Sequence, residues 1–467
     1  MREPVLAHRE PHARPARSRH VAALMNDRDQ AIAHAISGAF LAGPWDPPTM
    51  ARRAGRALGD RRIVWLRTLA DLAVHAFPTP PHDAPRELRS VLLASGIIRQ
   101  QRFTDEHARR PPLRLSFAAS PTQMGPTPWP VPELHSVGEL ADHLGLAAGQ
   151  LQWFADVRSW ERIVADEPLR QYRYRWMSSS SGSRLIEAPK GTLRHIQRVL
   201  LRTILDEIPI HDAAHGFATG RSIHGFIAPH VGASMLVKAD LQAFFNSIRA
   251  GRVYALWRRM GYPEPVAHVL TGLVTNAVPS AVLRRSPTPN SHLAALLRGP
   301  HLPQGAPTSP ALANLLAFHL DVRLNALAAS FGAVYTRYAD DLAFSGLTSL
   351  RRRPTALLRL TDEIARDEGF RLNPLKTATV GPGQRHRLGG VVINTRPNVD
   401  RRDYDQLKAE IHDAVINGPA AANRRGVAHL RAHLLGRISW VAELNPSRAE
   451  RLRDSFERIV WPKTTNA

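Results

Sequence analysis

The chain has 467 residues, 43% of them hydrophobic, which suits a globular protein of roughly two to four domains. Its 62 Lys and Arg outnumber 40 Asp and Glu, a formal +22 at pH 7 that makes nucleic acid the leading class of partner. The absence of cysteine excludes disulfides and thiolate–zinc sites, no apolar run is long enough for a membrane span, and Met1 to His20 lacks the apolar centre of a secretory signal, so a cytoplasmic protein is expected.

Residues 1–20, charged, proline-bearing and aperiodic, read as a disordered basic tail. From Val21 to Phe77 the pattern is helical, with an apolar series at Ile63, Leu66, Leu69, Leu72 and Val74. Proline-rich breaks at Pro78 to Pro85 and Pro111 to Pro132 flank a further helical piece over 86–100. Ser136 with Glu139 is a capping-box signature ahead of Leu140, Leu144 and Leu151. Tyr172 to Trp176, a Ser/Gly turn over 178–183 and Arg184 to Glu187 suggest a basic hairpin. An amphipathic helix marked by Leu193, Ile196, Leu200 and Ile204 follows, and strands and helices alternate to Asn394. Three helices are expected from Arg401 onward. The first carries Tyr404, Leu407, Ile411 and Val415 and stops at Asn417-Gly418, the second carries Leu430, Leu434, Ile438 and Val441, and the third carries Leu452, Phe456 and Ile459 behind a Ser447/Glu450 cap.

Three segments carry chemistry. Tyr338-Ala339-Asp340-Asp341 lies between the alternating runs Val334 to Arg337 and Leu342 to Ser345, a hairpin whose turn presents two adjacent carboxylates. Adjacent aspartates repel one another, and a divalent cation is the obvious group to compensate them, although alone the pair reads first as a solvated acidic turn. Asp240 ends the apolar strand Met235 to Ala239, where an isolated Asp is ordinarily a turn former or helix cap. Together the three carboxylates can hold two Mg²⁺ roughly 3.5–4 Å apart. Between them, Leu302 to Pro310 reads as a loop with Gln304 and Gly305, followed by a helix with Ser309 at the N-cap and Pro310 at the first helical position.

In order, these segments resemble the reverse transcriptase family, and most closely its bacterial retron type. The resemblance spans Arg170 to Trp461. It is carried by Arg184-Leu-Ile-Glu-Ala-Pro189, His215-Gly-Phe-Ala-Thr-Gly-Arg-Ser222, Asp240-Leu-Gln-Ala-Phe-Phe245 and Leu302-Pro-Gln-Gly-Ala-Pro-Thr-Ser-Pro310. It continues through Tyr335-Thr-Arg-Tyr-Ala-Asp-Asp-Leu-Ala-Phe-Ser345, Gly369-Phe-Arg-Leu-Asn-Pro-Leu-Lys376 and Leu388-Gly-Gly-Val-Val-Ile-Asn394. The resemblance implies an α+β right-hand polymerase: fingers, a palm with an RRM-like antiparallel sheet, and a helical thumb, preceded by a mostly helical extension. The corresponding division is a tail over 1–20, an extension over 21–132, N-terminal helices and fingers over 133–235, palm over 236–394 and thumb over 395–467.

By the same resemblance, Asp240, Asp340 and Asp341 are the catalytic carboxylates. With the Leu241 carbonyl they ligate two Mg²⁺, for which Mn²⁺ can substitute. Arg184, Phe244, Phe245, Gln304, Gly305 and Lys376 would bind the nucleotide. Phe245 lies where a flat ring excludes a ribose 2′-hydroxyl, Arg184 clamps the triphosphate, and Lys376 approaches the leaving pyrophosphate, though taken alone Phe245 is equally a core ring and Lys376 a surface lysine. Tyr338, Leu388, Gly389 and Gly390 would meet primer and template. The chain departs from the family in having Ser178 to Ser181 where lysines usually tip the fingers, leaving Arg173, Arg175 or Lys190 as substitutes. It also has Leu388-Gly389-Gly390 for a Val-Thr-Gly triplet, and Asn276 to Ser280 only partly matches Asn-Ala-x-x-His.

The implied activity is RNA-directed DNA synthesis on a cognate structured non-coding RNA that serves as template and primer. It would consume dNTPs and give an RNA–DNA hybrid and a short RNA-linked DNA, in antiphage defence. The helical residues after Asn394 leave no room for an RNase H domain, so host RNase H is an expected partner. The N-terminal extension is a candidate to bind the RNA, an effector protein or a second copy of the chain, and the sequence does not choose among them. Alternatives are a defence-associated or diversity-generating reverse transcriptase outside the retrons, an RNA-synthesising polymerase, and a catalytically idle RNA-binding scaffold.

Overall fold

The structure, a computed structural model, describes residues 16–116, 122–179 and 182–462. Most of the expected tail and the tip serines Ser180 and Ser181 lie outside these residues; the first helix begins at Ala16, inside the stretch expected to be disordered. The chain forms two compact units, one of Met1–Val157 with Tyr254–Gly272, the other of Arg158–Val253 with Leu273–Ala467. No described helix is long and apolar enough to cross a membrane.

The first unit is helical: α1 (Ala16–Leu41), α2 (Pro47–Leu58), α3 (Val64–Ala76), α4 (Pro85–Ala94), α5 (Ile97–His107), α6 (Val137–His143) and α7 (Ala148–Ala155). Helix α2 begins where the Asp46 side chain accepts from Thr49 N–H and Pro47 takes the first turn, and ends at left-handed Gly59. Ile36, Phe40, Met50, Leu66, Leu69, Leu88 and Leu92 fill a core of its own. Arg62 ties this core's edge together through Asp60 and Asp105 at 3.0 and 2.6 Å. Residues 254–272 belong here: Glu264 accepts from Arg86 N–H at 2.6 Å, and Arg258 pairs with Asp83 at 3.1 Å.

The second unit begins with the hairpin β1 (Tyr172–Ser179) and β2 (Gly182–Pro189), paired antiparallel from Tyr172↔Pro189 to Ser179↔Gly182. Helices α8 (Gly191–Leu200) and α9 (Ile223–Ile227) lead to β3 (Met235–Asp240) and α10 (Phe244–Ser247); α11 (Ala250–Arg259) and α12 (Glu264–Val274), most of whose residues belong to the first unit, come next in the chain, and α13 (Ser280–Leu283) and α14 (Ser291–Arg298) continue the second. After α15 (Ser309–Leu316) and α16 (Phe318–Ser330) come β4 (Ala333–Tyr338), β5 (Asp341–Gly346), α17 (Thr348–Arg351), α18 (Pro354–Asp367) and β6 (Ala378–Val380). A four-stranded antiparallel sheet has the order β4-β5-β3-β6, with helices α16 and α18 packed together on it. The small hairpin β7 (Arg387–Leu388) and β8 (Val391–Val392) turns at Gly389-Gly390, both at positive φ, the conformation a two-residue turn of this kind demands.

Helices α19 (Arg401–Ala422), α20 (Leu430–Leu444) and α21 (Pro446–Glu457) close on Leu407, Ile411, Leu434, Ile438, Leu452 and Phe456. The expected stop at Gly418 appears as a kink, with φ 81° inside α19. Two expected caps fall elsewhere. Asn445, not Ser447, caps α21 by accepting from Arg448 N–H, and Pro446 takes the first turn. Ser309 is already helical; its hydroxyl donates to the Pro303 carbonyl at 2.7 Å, so it fastens the preceding loop rather than capping α15.

Candidate active site

Strand β3 buries Leu236, Val237 and Ala239 between its neighbours and ends at Asp240, directly opposite Asp341 in register. Tyr338 pairs with Asp341 across β4 and β5, so only Ala339 and Asp340 form the turn. Ala339 sits at φ 56°, a left-handed conformation that costs a side-chain-bearing residue roughly 1–2 kcal/mol and must be imposed by its surroundings. The restraint is visible. The Arg337 guanidinium, fully buried, donates to the Ala339 carbonyl at 3.0 Å and to Asn314 Oδ1 at 3.0 Å. It also forks onto Asp321 at 2.6 and 2.8 Å, and the Tyr335 hydroxyl donates to the same carboxylate at 2.8 Å. Asn314 Nδ2 holds the Gly216 carbonyl at 2.8 Å, and a Cβ on Gly216 would stand 2.7 Å from Ala339 N.

Burial, then the charge of Asp240, raises the Asp340 carboxyl above its ordinary range. Asp341 is exposed at the start of β5, yet partial desolvation of its carboxyl, then the charges of Asp340 and Asp240, pushes it up to about 6. Lys376 Nζ reaches Asp240 Oδ2 at 2.6 Å, and Asn373 Nδ2 reaches Oδ1 at 3.1 Å. Burial opposes the charge on Lys376, but the Asp240 hydrogen bond and the three carboxylates outweigh it and hold the ammonium above its usual range. Leu241 N–H donates to the Asp340 carbonyl at 2.9 Å, binding the end of β3 to the turn.

Among the described residues, no three acidic, histidine or cysteine side chains already form a closed ion cage. The donor set nevertheless fits a hard divalent cation. Mg²⁺ takes few protein carboxylates and completes its shell with water and phosphate oxygens. Of the cations near the three mutually repelling carboxylates, Lys376 is hydrogen-bonded to Asp240, while Arg184 and Lys238 act on Asp340 and Asp341 through their charge; the repulsion still raises both carboxyls, as a site that favours a bound cation would show.

A cavity of about 500 Å³ opens between Phe217, Phe245, the Gly305–Pro307 loop, Arg194 and Arg198. Phe245 is half-buried on α10, behind a left-handed Ala243, whereas Phe244 turns into the core against Phe370 and the Arg337 guanidinium. The structure thus offers Phe245, and not Phe244, to a bound molecule. Phe217 is 50% exposed at φ 62°, its ring 6.0 Å from Phe245 and 6.4 Å from Tyr338. Gly305 needs its glycine: φ is 129°, and a Cβ would meet the Glu187 carbonyl at 3.0 Å. Arg184, exposed on β2, lies close enough for its charge to counter that of Asp340.

Asp240, Leu241, Asp340, Asp341, Tyr338 and Lys376 therefore converge, with Phe245 and Gly305 on the adjoining cavity wall; Gln304 precedes Gly305 and is tied to β2 through its carbonyl, which accepts from Glu187 N–H. Leu388 does not join them; its side chain packs with Phe226, Val391 and Ile393, leaving the Gly389-Gly390 backbone as the exposed part of that hairpin. Sequence reasoning missed Asn373, Phe217, Arg194, Arg198 and the Arg337 clamp. The Asn-Pro-Leu-Lys run contained Asn373, but nothing in a sequence announces a strained exposed ring such as Phe217.

A family model described as Reverse transcriptase (RNA-dependent DNA polymerase) matches residues 177–392. The retron Mx65 reverse transcriptase of Myxococcus xanthus is 37% identical over 324 residues, covering 67% of this chain and 69% of that protein. The retron Mx162 reverse transcriptase of the same organism is 38% identical over 296 residues, 60% of this chain and 59% of that one. The retron Ec86 reverse transcriptase of Escherichia coli is 31% identical over 250 residues, 53% of this chain and 71% of that one.

Proposed function

The chain belongs to the reverse transcriptase family, as an RNA-directed DNA polymerase of retron type, and from that premise we propose how its cleft works. The observation that carries the reading is the cross-strand pairing of Asp240 with Asp341 beside Asp340 on a clamped two-residue turn. Asp240, Asp340, Asp341 and the Leu241 carbonyl would hold the divalent metal, two Mg²⁺ in this reading. The bound metal supplies Lewis-acid stabilisation of the charge that develops as a primer hydroxyl displaces pyrophosphate from a dNTP.

The chain's own groups bind and orient. Gln304 and Gly305 line the base of the incoming nucleotide, and the flat face of Phe245 leaves no room for a 2′-hydroxyl. Arg184 clamps the triphosphate with its planar fork. Lys376 balances Asp240 at rest and faces the pyrophosphate once substrate arrives. Arg194 and Arg198, one helical turn apart, meet template phosphates, while Tyr338 and the Gly389-Gly390 turn support the primer end. The task is almost wholly positioning and electrostatics.

The template and primer would be a cognate structured non-coding RNA, the product a short DNA joined to it and trimmed with host RNase H. The cellular role would be antiphage defence. Sequencing the nucleic acid bound to protein purified from its own locus tests this. A branched RNA–DNA species, absent from the Asp340→Asn protein, is expected; RNA without any DNA when dNTPs are supplied would overturn it.

A further inference from the structure

Three residues beyond Arg184, β2 buries a carboxylate that the chemistry above does not use. Glu187 and the His301 ring are both fully buried. Glu187 Oε1 and His301 Nε2 share a hydrogen bond at 2.9 Å, Oε1 lies 3.5 Å from Asn246 Nδ2, and Oε2 accepts from Asn276 Nδ2 at 2.7 Å. The other His301 nitrogen donates to the Gly299 carbonyl at 2.7 Å, so both ring nitrogens are held. The second amide hydrogen of Asn276 goes to the Tyr174 hydroxyl at 3.1 Å. The backbone completes the frame: Glu187 N–H donates to the Gln304 carbonyl at 2.8 Å, and Asn276 and His301 exchange N–H···O bonds at 2.9 and 3.0 Å.

One carboxylate thus joins the strand bearing Arg184, the helix bearing Phe245 and the loop leading to Gln304 and Gly305. A buried charge is a poor way to gain stability, because desolvation opposes it. A fully hydrogen-bonded one fixes geometry, since any shift of the loop or helix leaves a buried donor without its acceptor. We infer that Glu187 is the positioning residue of the nucleotide pocket, setting the gap between Phe245 and the Gln304–Gly305 loop and so the fit of a deoxynucleoside triphosphate. The inference rests on the reading of Phe245, Gln304 and Gly305 as that pocket.

The test is single-nucleotide addition to a primed RNA template, with kcat and KM measured for a dNTP and the matching rNTP. Glu187→Ala should raise the dNTP KM by about tenfold or more and lower discrimination against the rNTP, with kcat far less affected, since misplacements of about 1 Å are costly in oriented sites. Glu187→Gln, which keeps an acceptor for Asn276 and a donor for His301, should recover most of the loss. If Glu187→Ala does not accumulate as folded protein, Asn276→Ala removes one arm of the same hub and should shift the dNTP KM in the same direction. An unchanged KM and selectivity, with only the melting temperature lowered, would overturn the inference. Phe245→Ala separates the two readings. If it relaxes sugar selectivity while Glu187→Ala does not, the hub falls and the pocket stands; if neither does, both fall.

Discussion

Arg337 and Asp321 form a fully buried two-pronged ion pair, and the third edge of the same guanidinium grips the carbonyl of Ala339, the residue before the paired aspartates. Among the described residues, Arg337→Met would leave the buried Asp321 carboxylate with the Tyr335 hydroxyl alone, and breaking such a pair costs about 3–5 kcal/mol. Urea unfolding should report a loss of that size. Arg337→Lys keeps the charge but not the fork, so it should lose less stability and still lose polymerase activity; full activity in the Lys variant would refute the link to the turn.

Gly216→Ala tests the same turn from outside. Its Cβ would stand 2.7 Å from Ala339 N, a backbone atom that has no side-chain freedom to give way. Polymerisation should fall by about tenfold or more while the stability cost stays near the roughly 1–3 kcal/mol of overpacking. Gly191→Ala, with nothing within 4 Å, is the matched control and should be silent.

Asp341→Asn should separate stability from chemistry. Partial desolvation and two neighbouring carboxylates oppose its ionisation, so in metal-free buffer near neutral pH the neutral amide relieves repulsion. Activity should fall by a factor on the order of 10³, as expected when several kcal/mol of transition-state stabilisation go. The metal-free melting temperature should rise; a fall would show that the three carboxylates do not burden one another.

His230 gives a pH signature. Its ring lies fully buried between Ser345 Oγ at 2.6 Å and Thr336 Oγ1 at 2.7 Å, and Thr336 donates onward to the Phe226 carbonyl. That chain of donors fits the neutral ring. Burial, with a smaller contribution from His215, lowers its pKa from 6.5 to about 4. The unfolded chain therefore binds the extra proton first. The stability held above pH 6.5 is lost as pH falls toward 4, up to about 3 kcal/mol from this group. His230→Gln should flatten the dependence of the urea midpoint between pH 7 and 5; parallel curves for the two proteins would exclude His230 as its source.

Much of the site was legible because its chemistry is local in sequence. The run of apolar residues into Asp240 and the alternation on both sides of Asp340-Asp341 appear as β3, β4 and β5 at the expected places. The less legible part is the support. Arg337 occupies a strand position that reads as surface, yet it is buried because Asp321, sixteen residues earlier on α16, reaches it through the fold. Phe244 and Phe245 are indistinguishable as neighbours; only the turn at Ala243 decides which ring enters the core. Ser309 carried a capping pattern, but a nearby loop carbonyl competed for its hydroxyl.

Close packing of Gly216 against Ala339 N and the Arg337 bond to the Ala339 carbonyl couple the Asp340 turn to the buried interior. The turn is therefore expected to loosen together with the interior around Asp321. Enzyme activity then serves as a thermometer of the sheet's integrity, with heat inactivation tracking cooperative melting instead of preceding it. Stabilising substitutions around α16 would extend the working temperature of the polymerase without touching a reacting group.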